Sequence, residues 1–311
     1  MPNLLDIRRR IRSVRNTRQI TRAMQMVSAA KLRRAHEQAL AARPYAERLA
    51  ALLAMTAGAD VDPGDAGQAA ALLAQRPEER VTLVVISGDK GLAGAFNANV
   101  FKAAHQAAAE RRERGARVEY EAVGRKARDH CRRRRLPLCG ETTGLFGRQV
   151  DYAVAREIAA RLMRRYAAGE TDAVYTIGNE FQSVLRQRVT LRRLLPVAAA
   201  PAGAPGAGPR KPAAGEPPAA AANEPIEPVF EPSAAAVLAA LLPRYIETQV
   251  YRSLLESFAA EHAARMNAMD TATKNAADMI DSLSLSMNRV RQAAITKEII
   301  EVVSGAAAQA G

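Results

Sequence analysis

Residues 266–306 read MNAMDTATKNAADMIDSLSLSMNRVRQAAITKEIIEVVSGA, and this stretch decides the fold. Apolar or small residues recur at Met266, Met269, Thr273, Ala276, Ile280, Leu283, Met287, Val290 and Ala294. The steps alternate between three and four, the a/d repeat of a coiled-coil seam. Thr273, Ala276 and Ala294 are small, so a partner helix can approach closely there. No Pro or Gly interrupts the run before Gly305. A helix with so long an apolar stripe requires a partner in water.

The chain itself offers one. Residues 1–57 read as a single helix with Asn3 as its cap and Asp6 in its first turn. Leu4, Ile7, Ile11 and Val14 follow the same repeat; Ile20, Met24 and Val27 are expected to continue it, with Thr17 as a polar filler. Pro44 marks a possible bend. The other faces are basic: Arg8, Arg9, Arg10, Arg12, Arg15, Arg18 and Arg22 are answered in that span only by Asp6. A solvated face explains scattered arginines, but this density points to an acidic partner. At 1.5 Å per residue the helix is about 80 Å long, and a C-terminal helix over 233–306 outreaches it.

Between these helices the pattern changes. Residues 58–80 form a polar connector rich in Gly and Asp. Residues 81–196 alternate strands (81–86, 117–123, 173–177, 181–195) with helices (97–113, 124–135, 150–168), the pattern of a βαβ sheet domain. Residues 197–228 are an Ala/Pro/Gly stretch expected to be a disordered loop, and Val229-Phe230 a short edge strand. Ser233 is the expected cap of the last helix, which Pro243 kinks near its start. The expected fold class is therefore α/β: a long antiparallel coiled coil of the two terminal helices with an inserted βαβ-type domain.

Composition narrows the function. The net charge is +13, which suits nucleic acid, an anionic membrane surface or an acidic protein face. No apolar run is long enough to span a membrane, so no transmembrane segment is expected. Cys131 and Cys139 do not have zinc-ligand spacing and read as reduced thiols. His36, His105, His130 and His262 have no partners at useful spacing, so neither a triad nor a metal is expected. Ser87-Gly88-Asp89-Lys90-Gly91-Leu92-Ala93-Gly94 sits between a strand and a helix, where a phosphate loop belongs. Its glycine spacing fits neither dinucleotide nor P-loop patterns, and the second strand ends without the acid that grips a ribose. No cofactor is expected. Arg132 to Arg135 could bind phosphate, but base-stacking aromatics are lacking nearby. Asp270, Asp278 and Asp281 read as solvated.

Ile295-Thr296-x-Glu298-Ile299-x-Glu301-Val302-Val303-x-Gly305-Ala306 resembles the C-terminal signature of the gamma subunits of F-type ATP synthases. Ile7-Arg8-Arg9-Arg10-Ile11-x-Ser13-Val14-x-Asn16-Thr17 through Ser28-Ala29 resembles their N-terminus. Arg43-Pro44-Tyr45, Gly91-Leu92-x-Gly94 and Arg244-Tyr245-Ile246-Glu247-x-Gln249-Val250-Tyr251 match in the same order. The resemblance implies that the inserted α/β domain is Rossmann-like. It also implies a bacterial rotor shaft that couples proton flow through the membrane ring to ATP synthesis at the beta subunits, with no catalytic residues of its own. The implied partners are the alpha and beta subunits, the epsilon subunit and the membrane c-ring. The implied place is the cytoplasmic face of the inner membrane, held peripherally. By position, Met24, Arg8, Arg12, Arg291, Gln292, Thr296 and Glu298 are the implied contacts with the alpha/beta ring. Ile7, Ile11, Val14, Met269, Ile280, Leu283, Met287 and Val290 are the seam. No thiol switch is expected. The alternatives are a basic nucleic-acid-binding coiled-coil protein and a dinucleotide enzyme. The resemblance implies no nucleic-acid partner.

Overall fold

The two end helices are α1, Leu4–Ala57, and a 77-residue helix that closes the chain, Ala234–Ala310. The computed structural model describes residues 4–57, 67–145, 150–184, 186–197, 231 and 233–310. The expected cap Asn3, most of the Ala/Pro loop and the expected edge strand Val229-Phe230 lie outside the described residues. Between the end helices come α2 (Gly67–Leu73), β1 (Arg80–Ile86), α3 (Phe96–Glu113), β2 (Arg117–Val123), α4 (Arg125–Arg133), β3 (Leu138–Thr142), α5 (Tyr152–Ala167), β4 (Ala173–Phe181) and β5 (Gln187–Leu195); the closing helix is α6.

The strands form one sheet in the order β3-β2-β1-β4-β5, parallel except for the antiparallel β4–β5 hairpin. Parallel strands are buried on both faces, and the run of Val81 to Ile86 is accordingly covered throughout. On one face Val81, Leu83, Val85, Val118, Tyr120 and Ala122 pack under α3 and α4. On the other, Val84, Ile86, Val123 and Val174 share a core with α2, α5, the lower half of α1 (Leu32, Ala35, Leu53) and the first half of α6. The shaft and the α/β domain are therefore one packed body in this region, joined through a continuous apolar core.

Four features differ from the sequence pattern. The connector contains α2, whose Leu72 is buried in the main core. Strand β3 was absent from the expected elements, because Leu138 to Thr142 holds Cys, Gly, Glu and Thr and only one strong strand former. Gly140 is needed there, since a Cβ would lie 2.0 Å from the Glu121 carboxylate. Single helical segments run through Pro44 and Pro243. Gly305 does not end α6, which continues to Ala310. Ser233 does cap it: its hydroxyl oxygen accepts from the Ala236 amide at 3.2 Å.

Candidate functional site: the coiled-coil shaft and its free tip

Two polar rungs fix the register of α1 against α6. The Thr21 and Thr273 hydroxyls meet at 2.7 Å, and Gln25 Nε2 donates to Asp270 Oδ1 at 3.0 Å. Advancing four residues on α1 retreats three on α6, so the pair is antiparallel. Toward the tip, Ile7, Ile11 and Ile280 form a buried cluster against which Val14, Leu283, Met287 and Val290 pack. Met269 is buried nearer the domain. An open groove of about 690 Å³ runs along one side of this seam, lined by residues including Arg10, Val14, Met279 and Leu283.

The middle of the seam departs from the expected stripe. Counting on from Val14 in alternating steps leads through Arg18, Thr21, Gln25 and Ser28 to Leu32. Thr21 and Ser28 are buried, whereas Ile20 is 60% exposed and Val27 56%. Ile20 and Val27 sit one position ahead of the repeat and face outward, with Met26 also exposed and Met24 half-buried. Thr17 is exposed and donates to the Ser13 carbonyl instead of filling the seam. Asp270 is likewise not simply solvated, since it accepts from Gln25 and pairs with Lys274 at 2.7 Å. A polar seam flanked by an exposed apolar stripe leaves hydrophobic surface for something outside the chain.

Pairing ends at Val290. Every residue from Arg291 to Ala306 is exposed, including Ala294, which the repeat had assigned to the seam. The described part of α1 begins at Leu4, and the register sets Leu4 near Val290. About 30 Å of single helix therefore projects beyond the pair. Ile295, Ile299, Ile300, Val302 and Val303 are between 48% and 71% exposed on it. Arg291, Gln292, Thr296 and Glu298 lie on this free tip, and Arg8 and Arg12 are exposed just below it on α1. The tip's internal ties are local: Thr296 donates to the Gln292 carbonyl at 2.9 Å, and Lys297 pairs with Glu301 at 3.4 Å.

At the other end of the shaft, α6 covers the carboxyl ends of β1 and β4. The order of the sheet makes that the switch point, the place where open α/β sheets take ligands. Here the glycine loop is used internally. Asp89 accepts from the Arg125 amide (2.9 Å) and from the Gly144 amide (3.1 Å); Ser87 Oγ accepts from the Ala127 amide (2.7 Å). Both side chains thus cap the N-terminus of α4, the helix that follows the neighbouring strand β2. Gly88 meets the buried carboxylate of Glu261, which would lie 2.6 Å from a Cβ. Arg265 donates to Glu261 Oε1 (2.5 Å), to the Gly91 carbonyl (3.2 Å) and to His262 Nδ1 (3.2 Å). Burial pushes the Glu261 carboxyl up, and burial with the nearby Arg265, Lys31 and Lys90 pushes His262 down to about 3. Loop, shaft and α1 therefore meet in one buried ionic cluster, and the crevice holds side chains of this chain.

The histidines find partners that sequence spacing concealed, because the partners come from other turns and helices. His105 on α3 and His130 on α4 approach at 2.9 Å between their Nε2 atoms, with Phe101 stacked on His130. Among the described residues no group of three or more potential ligands could hold a metal ion. Cys131 and Cys139 are free thiols; Cys131 lies in the α3/α4-side core, and Cys139 has Glu121 near its sulfur. No described helix is long and apolar enough to cross a membrane.

Residues 3–309 match a family model described as ATP synthase. The chain is 52% identical over 308 residues to the ATP synthase gamma chain of Solibacter usitatus, covering 99% of both chains. It is 48% identical over 309 residues to that of Pelotomaculum thermopropionicum, again covering 99% of each. Its fold resembles two chains of Euglena gracilis mitochondrial ATP synthase. One is in the rotor in rotational state 1 (TM-score 0.61, 15% identity, 94% of this chain and 98% of that one). The other is in the OSCP/F1/c-ring assembly in rotational state 3 (0.64, 16%, 98% and 94%). A continuous match at half identity, carried on an antiparallel shaft with a free tip, leaves one assignment: the chain belongs to the ATP synthase gamma-chain family.

Proposed function

We propose that this chain is the central rotor shaft of an F-type ATP synthase, transmitting rotation between a proton-driven membrane ring and the catalytic beta subunits. The observation that carries the proposal is the free tip. A helix that buries nothing over some sixteen residues while exposing Ile295, Ile299, Ile300, Val302 and Val303 is unfavourable alone in water and needs an apolar sleeve around it. The alpha/beta ring is the proposed sleeve. Arg291, Gln292, Thr296 and Glu298 on the tip, and Arg8, Arg12 and Met24 on α1, are its proposed contacts. The basic face of α1 suits acidic loops on the beta subunits.

The mechanism needs no chemistry from the shaft. An asymmetric rod touches each of several identical subunits differently. It shifts each subunit's conformational equilibrium by the difference in contact free energy between that subunit's states. Turning the rod hands that bias to the next subunit. For this the rod must resist twisting against the ring-bound domain, and the shared apolar core and the Glu261–Arg265–Gly91 cluster supply that rigidity. The α/β domain is the proposed seat on the c-ring with the epsilon subunit, at the cytoplasmic face of the inner membrane. The buried carboxylate of Glu261 against Gly88 argues against a nucleotide phosphate at the glycine loop. Nothing in the fold favours the nucleic-acid reading.

A tagged copy recovered from detergent-solubilised membranes tests the proposal. Co-recovery of alpha, beta and epsilon subunits is the expected result, and recovery of the chain without them refutes it.

A further inference from the structure

The basic residues of the α/β domain are distributed unevenly. Several of its arginines are paired internally, and Arg125, Arg156, Arg164, Arg186 and Arg188 are exposed without a salt bridge among the described residues, spread over α4, α5 and the β4–β5 hairpin. Arg80 pairs with Asp172 at 2.9 Å, Arg165 with Glu119 at 2.6 Å, Arg132 with Glu141 at 2.9 Å, and Arg161 with Glu121. In contrast, Arg112, Arg114, Arg117, Arg133, Arg134 and Arg135 are all exposed, and none makes a salt bridge among the described residues. They lie on two neighbouring turns, α3 to β2 and α4 to β3.

Those turns occupy a definite end of the molecule. Gly178, which faces Ile86, lies against Ser257; Gly88 lies against Glu261; the Gly91 carbonyl accepts from Arg265. Moving toward and past the carboxyl end of β1 thus climbs α6 toward its free tip. The amino ends of the parallel strands point the opposite way, and the α3–β2 and α4–β3 turns are at that end. The clustered arginines are at the foot of the shaft, farthest from the tip.

Charge at a helix C-terminus is a common way to answer the helix dipole. That accounts for Arg112 in the last turn of α3 and Arg133 in the last turn of α4. It also accounts for Arg114 and Arg134, the C-cap residues of those helices, but not for Arg117 at the start of β2 or Arg135 past the α4 cap. Glu79, Glu110 and Glu113 are the exposed acids on this side; Glu110 accepts from Gln106, the Glu79 carbonyl accepts from the Arg117 amide, and none forms a salt bridge with these arginines. The His105–His130 pair adjoins the patch; burial first, and then the nearby Arg112, Arg133 and Arg134, push both histidines below their ordinary range. The patch lacks exposed aromatic rings on which bases could stack, which argues against single-stranded nucleic acid.

We infer that this arginine edge at the foot of the α/β domain is a contact for anionic phospholipid headgroups beside the membrane ring. The inference rests on the rotor reading above, which puts this end of the shaft at the membrane. Exposed guanidinium groups without a carboxylate partner are free to meet phosphate oxygens, for which they are well shaped. Each arginine near an anionic bilayer surface adds attraction that fades within a Debye length. Such a contact has no fixed register, so the foot can turn across the lipid surface without meeting a barrier.

The test is flotation of the full chain with phosphatidylcholine vesicles, with and without phosphatidylglycerol, at physiological salt. The unmodified chain is expected to bind only the anionic vesicles. Arg133→Glu/Arg134→Glu/Arg135→Glu is expected to weaken that binding more than about a hundredfold. The milder Arg133→Gln/Arg134→Gln/Arg135→Gln is expected to weaken it about a hundredfold and guards against misfolding. The control Arg8→Glu/Arg9→Glu/Arg12→Glu makes the same charge change near the tip and is expected to keep most of the binding. Equal loss in both triple variants, no loss at the foot, or equal binding to neutral vesicles overturns the inference, as does tighter binding to duplex DNA than to anionic vesicles. Recovery of alpha and beta subunits with the unmodified chain is scored separately. Its failure refutes the rotor reading, whereas failed vesicle selectivity with subunits recovered refutes only the lipid contact.

Discussion

Replacing Ile280 with alanine probes how the shaft is held together. Ile280 is 7% exposed and packs in the small cluster with Ile7 and Ile11. The change removes three carbons, worth about 2.4 kcal/mol of transfer at about 0.8 kcal/mol each. In a closed core a cavity penalty adds to this. Here the seam is open to water along its sides, so the void is filled and the loss stays near 2 kcal/mol. The polar rungs Thr21–Thr273 and Gln25–Asp270, with buried Ser28, separate this cluster from the main core, so the loss is spent locally. A 2 kcal/mol loss raises the open population about 30-fold. Hydrogen exchange read by mass spectrometry should therefore accelerate about that much over residues 5–14 and 277–290. Amides of β1 and α5 should exchange as before, because their core includes no residue of this cluster. Acceleration in β1 equal to that at the tip, or none in residues 5–14, refutes the picture of a separately opening upper shaft.

Other expectations follow from single contacts. Gly124 has φ +93°, and a Cβ there would lie 2.1 Å from the Ser87 carbonyl oxygen. Gly124→Ala should therefore cost more than about 4 kcal/mol and leave little soluble protein, seen as lost expression or a collapsed melting temperature. His262 titrates near 3 in the folded chain and near 6.5 unfolded. The unfolded state alone takes up this proton as pH falls below about 6.5, so native stability should fall by up to about 1.4 kcal/mol per pH unit down to about 3. Above 6.5 the group contributes no slope. His262→Gln should make denaturant-derived stability less steep in that window by one proton, and an unchanged slope counts against the buried neutral ring. Thr273→Val should cost about 1 kcal/mol by removing the hydroxyl contact between the helices, leaving Thr21 only its bond to the Arg18 carbonyl, while the double change Thr21→Val/Thr273→Val should be near neutral. A double-mutant cycle showing additive losses contradicts the rung.

The terminal helices and the sheet were legible because each rests on periodicity. Ile7, Ile11, Val14, Ile280 and Leu283 keep a strict repeat, and Val81 to Ile86 is a continuous β-branched run. The middle of the seam misled because hydrophobicity and phase part company there: Ile20 and Val27 look like core but lie one position ahead of Thr21 and Ser28. Only the partner's register reveals which set faces inward. Ala294 misled for the opposite reason, since the repeat continues on α6 past the level of Leu4, where the described part of α1 begins. The glycine loop announced a turn at a ligand-binding position. That the ligands would be its own Asp89, Ser87 and Glu261 depends on contacts over long sequence separations. The same is true of the His105–His130 approach. The foot's arginines were visible as a run from Arg132 to Arg135. Which of them are paired and which end of the shaft they occupy needed the packing of β1 on α6.

The claim that this chain is a rotor is tested most directly by watching it turn. An alpha/beta ring assembled around the chain is fixed to a surface, with a bead on a cysteine introduced at exposed Glu113, and is supplied with ATP. Unidirectional rotation of the bead that starts with ATP and stops on its removal is the predicted result. A ring that hydrolyses ATP while the bead stays still contradicts the account.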